Sequence, residues 1–106
     1  MSYHVNILRQ AERETNAIVH WLFERSPEGA ARWIDAYDNA MQALAVDPQR
    51  YGLAPENDFV DYCIRQLFFG TPAGGKYRAV FTIIGDEVRV LHVRGPGQRL
   101  LKPEEL

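Results

Sequence analysis

The sequence has few of the features that disulfide-bonded, membrane-spanning, secreted or metal-binding proteins require. It has one cysteine, Cys63, so it cannot form an internal disulfide, and we expect a reducing compartment, the cytoplasm. No run approaches the roughly 18 apolar residues that cross a bilayer, and the first twenty residues are interrupted by charges, unlike a secretory signal. The three histidines show no metal-ligand spacing. We therefore expect no membrane segment, no metal and no cofactor.

The residues that are present have the composition of a small globular domain. Hydrophobic residues make up 46% of the chain and charged residues 25%, which argues against disorder and predicts a single domain over residues 1–106. The net charge of −2 hides an asymmetry. Residues 1–61 hold five Lys/Arg against ten Asp/Glu, whereas residues 62–106 hold seven against four. The C-terminal part therefore offers either a surface for a polyanion or a sheet that its arginines keep solvated.

Hydrophobic periodicity predicts a strand and two helices in the first half of the chain. The alternating segment Tyr3–Leu8 predicts the strand, and apolar residues at helical spacing predict a helix over residues 9–25. Ser26 is a helix cap, Pro27 suits the first position of a second helix, and Pro48 disfavours helix at the residue before it. The predicted buried stripes are Ala11, Thr15, Ile18 and Leu22, widened by Val19, Trp21 and Phe23, and then Ala30, Trp33, Ile34, Tyr37, Met41 and Leu44. Charged residues such as Glu14 are expected to point away from the first stripe.

Three strands are predicted after a polar, proline-containing loop. They cover about residues 61–69, 76–84 and 87–94, and the dipeptide Gly85-Asp86 is typical of a two-residue hairpin turn. The order β-α-α-β-β-β predicts an α+β fold, an antiparallel sheet with a two-helix hairpin on one face.

The hairpin turn also predicts which side chains share a face of the sheet. If Ile84 pairs with Glu87, then Val80 lies opposite Leu91 and Arg78 opposite Val93. We expect an open face that holds Arg78, Val80, Thr82, Ile84, Glu87, Arg89, Leu91 and Val93. We expect a helix-covered face that holds Tyr77, Ala79, Phe81, Ile83, Val88, Val90, His92 and Arg94. The pattern around Arg65 is mixed and leaves its side undetermined.

Four segments in this order resemble a known family over nearly the whole chain. They are "ALAVDPQRYGLAPE" after the second helix, the strand "IRQL", the strand start "YRAVF", and the hairpin "GDEVRVLHVR". Together they resemble the RelE/ParE superfamily of bacterial type II toxins. The resemblance implies a small toxin neutralised by a cognate antitoxin. RelE-like members cut mRNA on the ribosome, whereas ParE-like members inhibit DNA gyrase and are not nucleases.

The resemblance and the charge pattern single out four arginines as candidate contacts to a phosphate or a protein target. Arg78 matches the arginine after tyrosine with which the nuclease members bind phosphate, and a guanidinium can stabilise the charge that builds on phosphorus. The resemblance also places Arg65 near the position where such toxins carry basic residues, in the strand before that of Arg78, where it could join Arg78 or cap the sheet. Arg94 and Arg99 flank "GPG". The alternative for Arg78 is an exposed strand arginine that pairs with Glu87.

The remaining ionisable residues are expected to have structural rather than catalytic roles. The predicted register turns His92 towards the helices, where a core histidine with one satisfied nitrogen is more common than a general base. Lys76 is expected to be solvated, Cys63 to be a small packing residue, and Glu104 and Glu105 to form a solvated tail.

The residues after the last strand separate the possible mechanisms. Nuclease members place an arginine, histidine or tyrosine there, whereas this chain has Gly95, Pro96 and Gly97, and arginine is a poor general base. This favours ParE-like gyrase inhibition. The alternatives are a RelE-like mRNA endoribonuclease and a non-toxic family member that acts as a binding module.

Overall fold

The computed structural model describes residues 2–106, and its elements follow the predicted order. They are β1 (His4–Ile7), α1 (Arg9–Arg25), α2 (Pro27–Leu44), β2 (Arg65–Thr71), β3 (Gly75–Ile84) and β4 (Glu87–Arg94). Short 3-10 turns lie at Pro48–Arg50, Pro55–Phe59 and Pro103–Glu105. The α+β fold with two helices and a four-stranded sheet is therefore confirmed.

The two helices meet at Ser26, as the sequence predicts. The Ser26 N–H donates to the Leu22 carbonyl at 2.8 Å and ends α1, while its Oγ accepts from the Gly29 N–H at 3.0 Å and caps α2. The residues that the helices bury are Ala11 and Thr15 of α1 and Ala30, Trp33, Ala40, Met41 and Leu44 of α2. Trp21 and Phe23 are 51% and 59% exposed, so the predicted widening of the first stripe is wrong at these residues. At about 100° per residue they lie on opposite flanks of that stripe.

The sheet is mixed rather than antiparallel. Its strand order is β1-β4-β3-β2, with antiparallel pairing of β2 with β3 and of β3 with β4, but parallel pairing of β1 with β4. The predicted all-antiparallel sheet is therefore wrong at β1. Nearly the whole chain separates β1 from β4, so no short turn dictates their relative direction.

A register shift in the β3–β4 hairpin changes which residues face the helices. Ile84 pairs with Glu87 as predicted, but Val80 lies opposite His92, and the register shifts between Val80 and Phe81. Leu91 is the extra residue of this β-bulge. The predicted Val80–Leu91 and Arg78–Val93 pairs are therefore wrong, since the observed pairs are Ala79–Val93 and Arg78–Arg94.

Both faces of the sheet are covered. The helix face packs against α1 and α2 through a core that includes Tyr77, Ala79, Phe81, Val88, Val90 and Val93. The opposite face carries Arg78, Val80, Thr82, His92 and Arg94. We call it the tail face, because residues 98–106, the tail, and residues 54–64 cover it. Ala54, Ile64, Val80 and Leu101 form a second buried cluster there, so the prediction that this face is open is wrong.

Candidate functional site

Arg78 lies in the middle of β3 on the tail face, and its side chain is only 12% exposed. Its Nη1 donates to Glu56 Oε1 at 2.8 Å and to Gln66 Oε1 at 3.1 Å, and its Nη2 donates to Glu56 Oε2. This two-pronged pairing uses the fork geometry of the guanidinium fully. Arg78 is therefore on the predicted face but is neither open to solvent nor paired with Glu87.

Glu56, the partner of Arg78, has no exposed surface. It lies in the 3-10 turn Pro55–Phe59, and its Oε2 also accepts from the Leu101 N–H at 2.9 Å. Burial alone would raise the pKa of Glu56, but the hydrogen bonds from Arg78 and from the Leu101 amide outweigh burial and lower it to about 2. The carboxylate is therefore ionised at neutral pH, and it joins Arg78 to the tail.

Arg94 lies beside Arg78, at the paired position of β4, and is 8% exposed. The bulge at Leu91 places it on the tail face, so the predicted position on the helix face is wrong. Its Nη2 donates to the Arg99 carbonyl at 2.9 Å, while its buried Nε has no partner among the described residues. A buried donor without a partner is costly, so Arg94 retains unused capacity to bind an acceptor.

Arg99 is the most exposed of the four predicted arginines, with 54% of its side chain accessible. Its two Nη atoms donate to the two carboxylate oxygens of Glu105 at 2.7 and 3.1 Å. Glu105 also accepts from the Lys102 N–H at 2.7 Å. The Arg99 hydrogen bond, followed by that of the Lys102 amide, lowers the pKa of Glu105 to about 2. Glu105 is therefore a structured part of the tail rather than the solvated residue that the sequence suggested.

His92 is buried, as predicted, but both of its ring nitrogens have partners. Nδ1 lies 3.0 Å from Glu14 Oε2, and Nε2 lies 2.8 Å from the Glu105 carbonyl oxygen. Glu14 Oε1 also accepts from the Val93 N–H at 2.9 Å, beyond the point where β1 stops pairing with β4. Burial lowers the pKa of His92, but the bonds to Glu14 and to the Glu105 carbonyl outweigh it, so the net shift is upward. The prediction that His92 shares a face with Phe81 and Val90 is wrong, because the bulge pairs it with Val80 of the tail face; from there its ring still reaches Glu14 of α1.

Arg65 lies on the other side of the sheet. It pairs with Phe81 of the helix face, and its Nη1 donates to the Tyr51 carbonyl at 2.7 Å. The structure thus settles the side that the sequence left undetermined. Arg78 and Arg94 lie beneath the tail and Arg99 lies within it, whereas Arg65 lies on the opposite face of the sheet.

Similarity to known proteins agrees with the predicted superfamily. The family model described as the ParE toxin of type II toxin-antitoxin systems, parDE, matches residues 5–99. The chain belongs to the ParE toxin family. No curated protein and no solved structure matches it. Membership in a toxin-antitoxin family implies a cognate antitoxin as a partner of this ParE-family chain.

An apolar groove of about 750 Å³ lies between α1, the β2–β3 loop and the turn after β4 in this ParE-family domain. Ile18, Trp21 and Leu22 of α1 form one wall, Pro96 of the "GPG" turn belongs to another, and Tyr77 also lines it. Trp21 is exposed because it lines this open groove instead of packing into the core. The "GPG" segment thus shapes an apolar surface instead of carrying an ionisable group.

Within residues 2–106, no helix is long and apolar enough to cross a membrane, and no cluster of three or more His, Cys, Asp or Glu residues could hold a metal. Sequence reasoning missed three carboxylates of the site: Glu14, Glu56 and Glu105. A signal existed for Glu14, which lies three residues after Ala11 and four before Ile18, on the edge of the buried stripe. Glu56 and Glu105 lie in irregular segments whose sequence gives no such signal.

Proposed function

We propose that this ParE-family protein is a growth-inhibiting toxin that acts by binding and inhibiting DNA gyrase, and that it does not cut RNA. The observation that carries the proposal is that the ionisable groups around Arg78 and Arg94 are hydrogen-bonded within the protein. His92, Glu14, Glu56 and Glu105, which lie around these arginines, are each held by an internal partner. The proposal includes a cytoplasmic location, since gyrase acts there.

RNA cleavage by an attacking 2′-hydroxyl needs a base, an acid and a group that stabilises charge on phosphorus. His92 donates or accepts at both nitrogens within the protein, and Glu14, Glu56 and Glu105 are hydrogen-bonded carboxylates with lowered pKa values. Arginine cannot act as a base at accessible pH. The tail face therefore holds charge-stabilising arginines, while His92 and the carboxylates beside them are engaged by internal partners in the closed structure, which supports binding over proton transfer.

In this proposal the predicted arginines are binding contacts rather than catalytic groups. Arg99 reaches solvent and can contact a protein partner directly, whereas Arg65 and Arg78 maintain the shape of the surface through Tyr51 and Glu56. Arg94 holds the Arg99 carbonyl and thereby positions the segment that carries Arg99.

The test uses the purified toxin in two parallel assays. We expect inhibition of gyrase-catalysed supercoiling, and no codon-phased cuts when mRNA is mapped by primer extension after induced expression. Arg99→Ala should weaken gyrase inhibition more than Arg32→Ala, which removes an exposed arginine from α2 and serves as the matched control. Co-expression of the cognate antitoxin should restore growth.

The RelE-like alternative has one observation in its favour, the adjacent placement of Arg78 and Arg94 on neighbouring strands. Codon-phased mRNA cuts with gyrase unaffected would establish that alternative and overturn the proposal. Normal growth on expression, with antitoxin binding retained, would identify a non-toxic binding module instead.

A further inference from the structure

The tail is fastened to the rest of the protein mostly through charged groups. The Leu101 N–H binds Glu56, the Arg99 carbonyl accepts from Arg94, and the Glu105 carbonyl lies 2.8 Å from His92 Nε2. Two apolar anchors accompany them: the Leu101 side chain is 1% exposed in the small cluster with Val80, and the partly buried Leu106 packs against the same cluster. The family match ends at Arg99, so Leu101 and Glu105 lie beyond the matched region.

The surroundings of His92 define how many protons its ring carries. Nδ1 faces the carboxylate of Glu14 on α1, and Nε2 faces the carbonyl oxygen of Glu105 in the tail. A carbonyl and an ionised carboxylate can only accept hydrogen bonds, so both ring nitrogens must donate. The closed arrangement therefore requires the imidazolium form. Among residues 2–106, Arg94 on β4 is the positive group whose charge opposes that of the ring.

Loss of one proton would break the two contacts unequally. The remaining N–H would stay on Nδ1, because a hydrogen bond to the ionised Glu14 is stronger than one to a neutral carbonyl. The lone pair of Nε2 would then face the lone pairs of the Glu105 carbonyl. The contact that fails is thus the one that holds the tail, while the contact between α1 and β4 remains.

We propose that residues 98–106 form a strap that the doubly protonated His92 holds shut, and that deprotonation of this ring releases the strap and uncovers Arg94 and the Arg78–Glu56 pair. The strap is a conformational device that does not depend on which target the toxin binds. Its release frees the Arg94 guanidinium, whose Nε is already without a partner, and so presents new positive charge at the surface.

The direction of the pH effect follows from the bonds that His92 makes. Its pKa in the folded protein is raised, so the stabilisation is fully present below the ordinary histidine value of about 6.5 and is lost as the pH rises through the folded value. Glu14, Glu56 and Glu105 have lowered pKa values and remain ionised over this range. The strap is therefore closed below the ordinary histidine value and opens as the pH rises through the raised pKa of His92.

Hydrogen–deuterium exchange of the full chain between pH 6 and 9, corrected for the intrinsic pH dependence of exchange, tests the strap. The amide to follow is that of Leu101, which bonds to Glu56 outside the strap, whereas the Glu105 and Leu106 amides bond to Lys102 and Pro103 within it. We expect protection of the Leu101 amide to fall by about tenfold, the loss of one charge-assisted hydrogen bond, while amides of β3 stay protected. Imidazole ¹⁵N NMR should show both His92 nitrogens protonated at pH 6 and one of them deprotonated as the strap opens.

Three variants assign the effect to this ring. His92→Gln cannot titrate and should make tail protection independent of pH, whereas His20→Gln, which alters a surface histidine on α1, should leave the pH dependence intact. Glu14→Gln should move the midpoint of strap opening to lower pH. Constant tail protection in the unmodified protein across the His92 titration would overturn the proposal, as would a pH dependence that survives in H92Q. If H92Q does not fold, the unmodified protein and E14Q still decide the question.

Discussion

The two faces of the sheet are closed by different chemistry. On the helix face the contacts are aromatic and aliphatic: Trp33 stacks on Tyr37 with ring centroids 5.5 Å apart and meets Tyr77 edge-on at 5.3 Å. On the tail face a small apolar cluster is joined to buried charges, of which the Glu56–Arg78 pair is the most enclosed. The same strands thus support a continuous apolar core on one side and a polar network on the other.

This difference implies two kinds of response to mutation. Apolar contacts are non-directional and numerous, so the helix face should lose stability in proportion to the volume removed. A buried ion pair depends on both partners, since removal of one leaves the other charged and desolvated. The tail face should therefore be sensitive to single polar changes, and its weakest contact should decide whether the tail stays in place.

The largest effect is expected from breaking the buried ion pair. Glu56→Leu leaves Arg78 buried without a counter-ion, with only the neutral Gln66 amide as acceptor, and should lower the free energy of unfolding by roughly 3–5 kcal/mol. The double variant Glu56→Leu/Arg78→Met should recover most of this loss, because no unpaired charge remains. Denaturant unfolding measures both, and a loss below about 1 kcal/mol in the single variant would show that Leu101 alone closes the tail face.

Truncation of a leucine on each face compares the two cores directly. Leu44 on α2 and Leu101 in the tail are 0% and 1% exposed. Leu44→Ala should cost about 4 kcal/mol, and Leu101→Ala about 2 kcal/mol, because a chain end can adjust around a cavity more easily than a helix can. Equal losses in thermal or denaturant unfolding would contradict the idea that the tail is the weaker layer.

Acid should weaken the tail face selectively. The pKa of Glu56 is lowered to about 2, so its contribution is present above the ordinary value of about 4.5 and is lost as the pH falls towards 2. Unfolding free energies measured between pH 7 and 2 should therefore decline less steeply in the Glu56→Leu/Arg78→Met variant than in the unmodified protein. Leu44→Ala should shift the whole curve without changing its slope, and serves as the control.

The smallest effect is expected where charges pair at the surface. Glu87 and Arg89 form an ion pair at 3.1 Å with 25% and 43% of their side chains exposed. Arg89→Gln should change the unfolding free energy by less than about 1 kcal/mol, since solvent screens the pair. A loss comparable to that of Glu56→Leu would show that burial is not what separates the two ion pairs.

The element order, the α+β class and the superfamily could be predicted from the sequence, because each depends on local patterns. Helical spacing marked the stripe that contains Trp33 and Leu44, the capping chemistry of Ser26 marked the boundary between the helices, and Gly85-Asp86 marked the hairpin. These features act within a few residues of one another, so a single sequence records them.

Tertiary structure alone decided the tail face. One extra residue, Leu91, reverses the side on which His92 and Arg94 lie, because side chains alternate along a strand and a shift of one residue exchanges the faces. Glu56 is 22 positions from Arg78, and Glu14 is 78 positions from His92, so neither pair has a local pattern. The sequence alone determined the order and type of the helices and strands, although β2 begins at Arg65 rather than near residue 61. The long-range contacts determined which charges are buried together, since only the folded chain brings those groups within hydrogen-bonding distance.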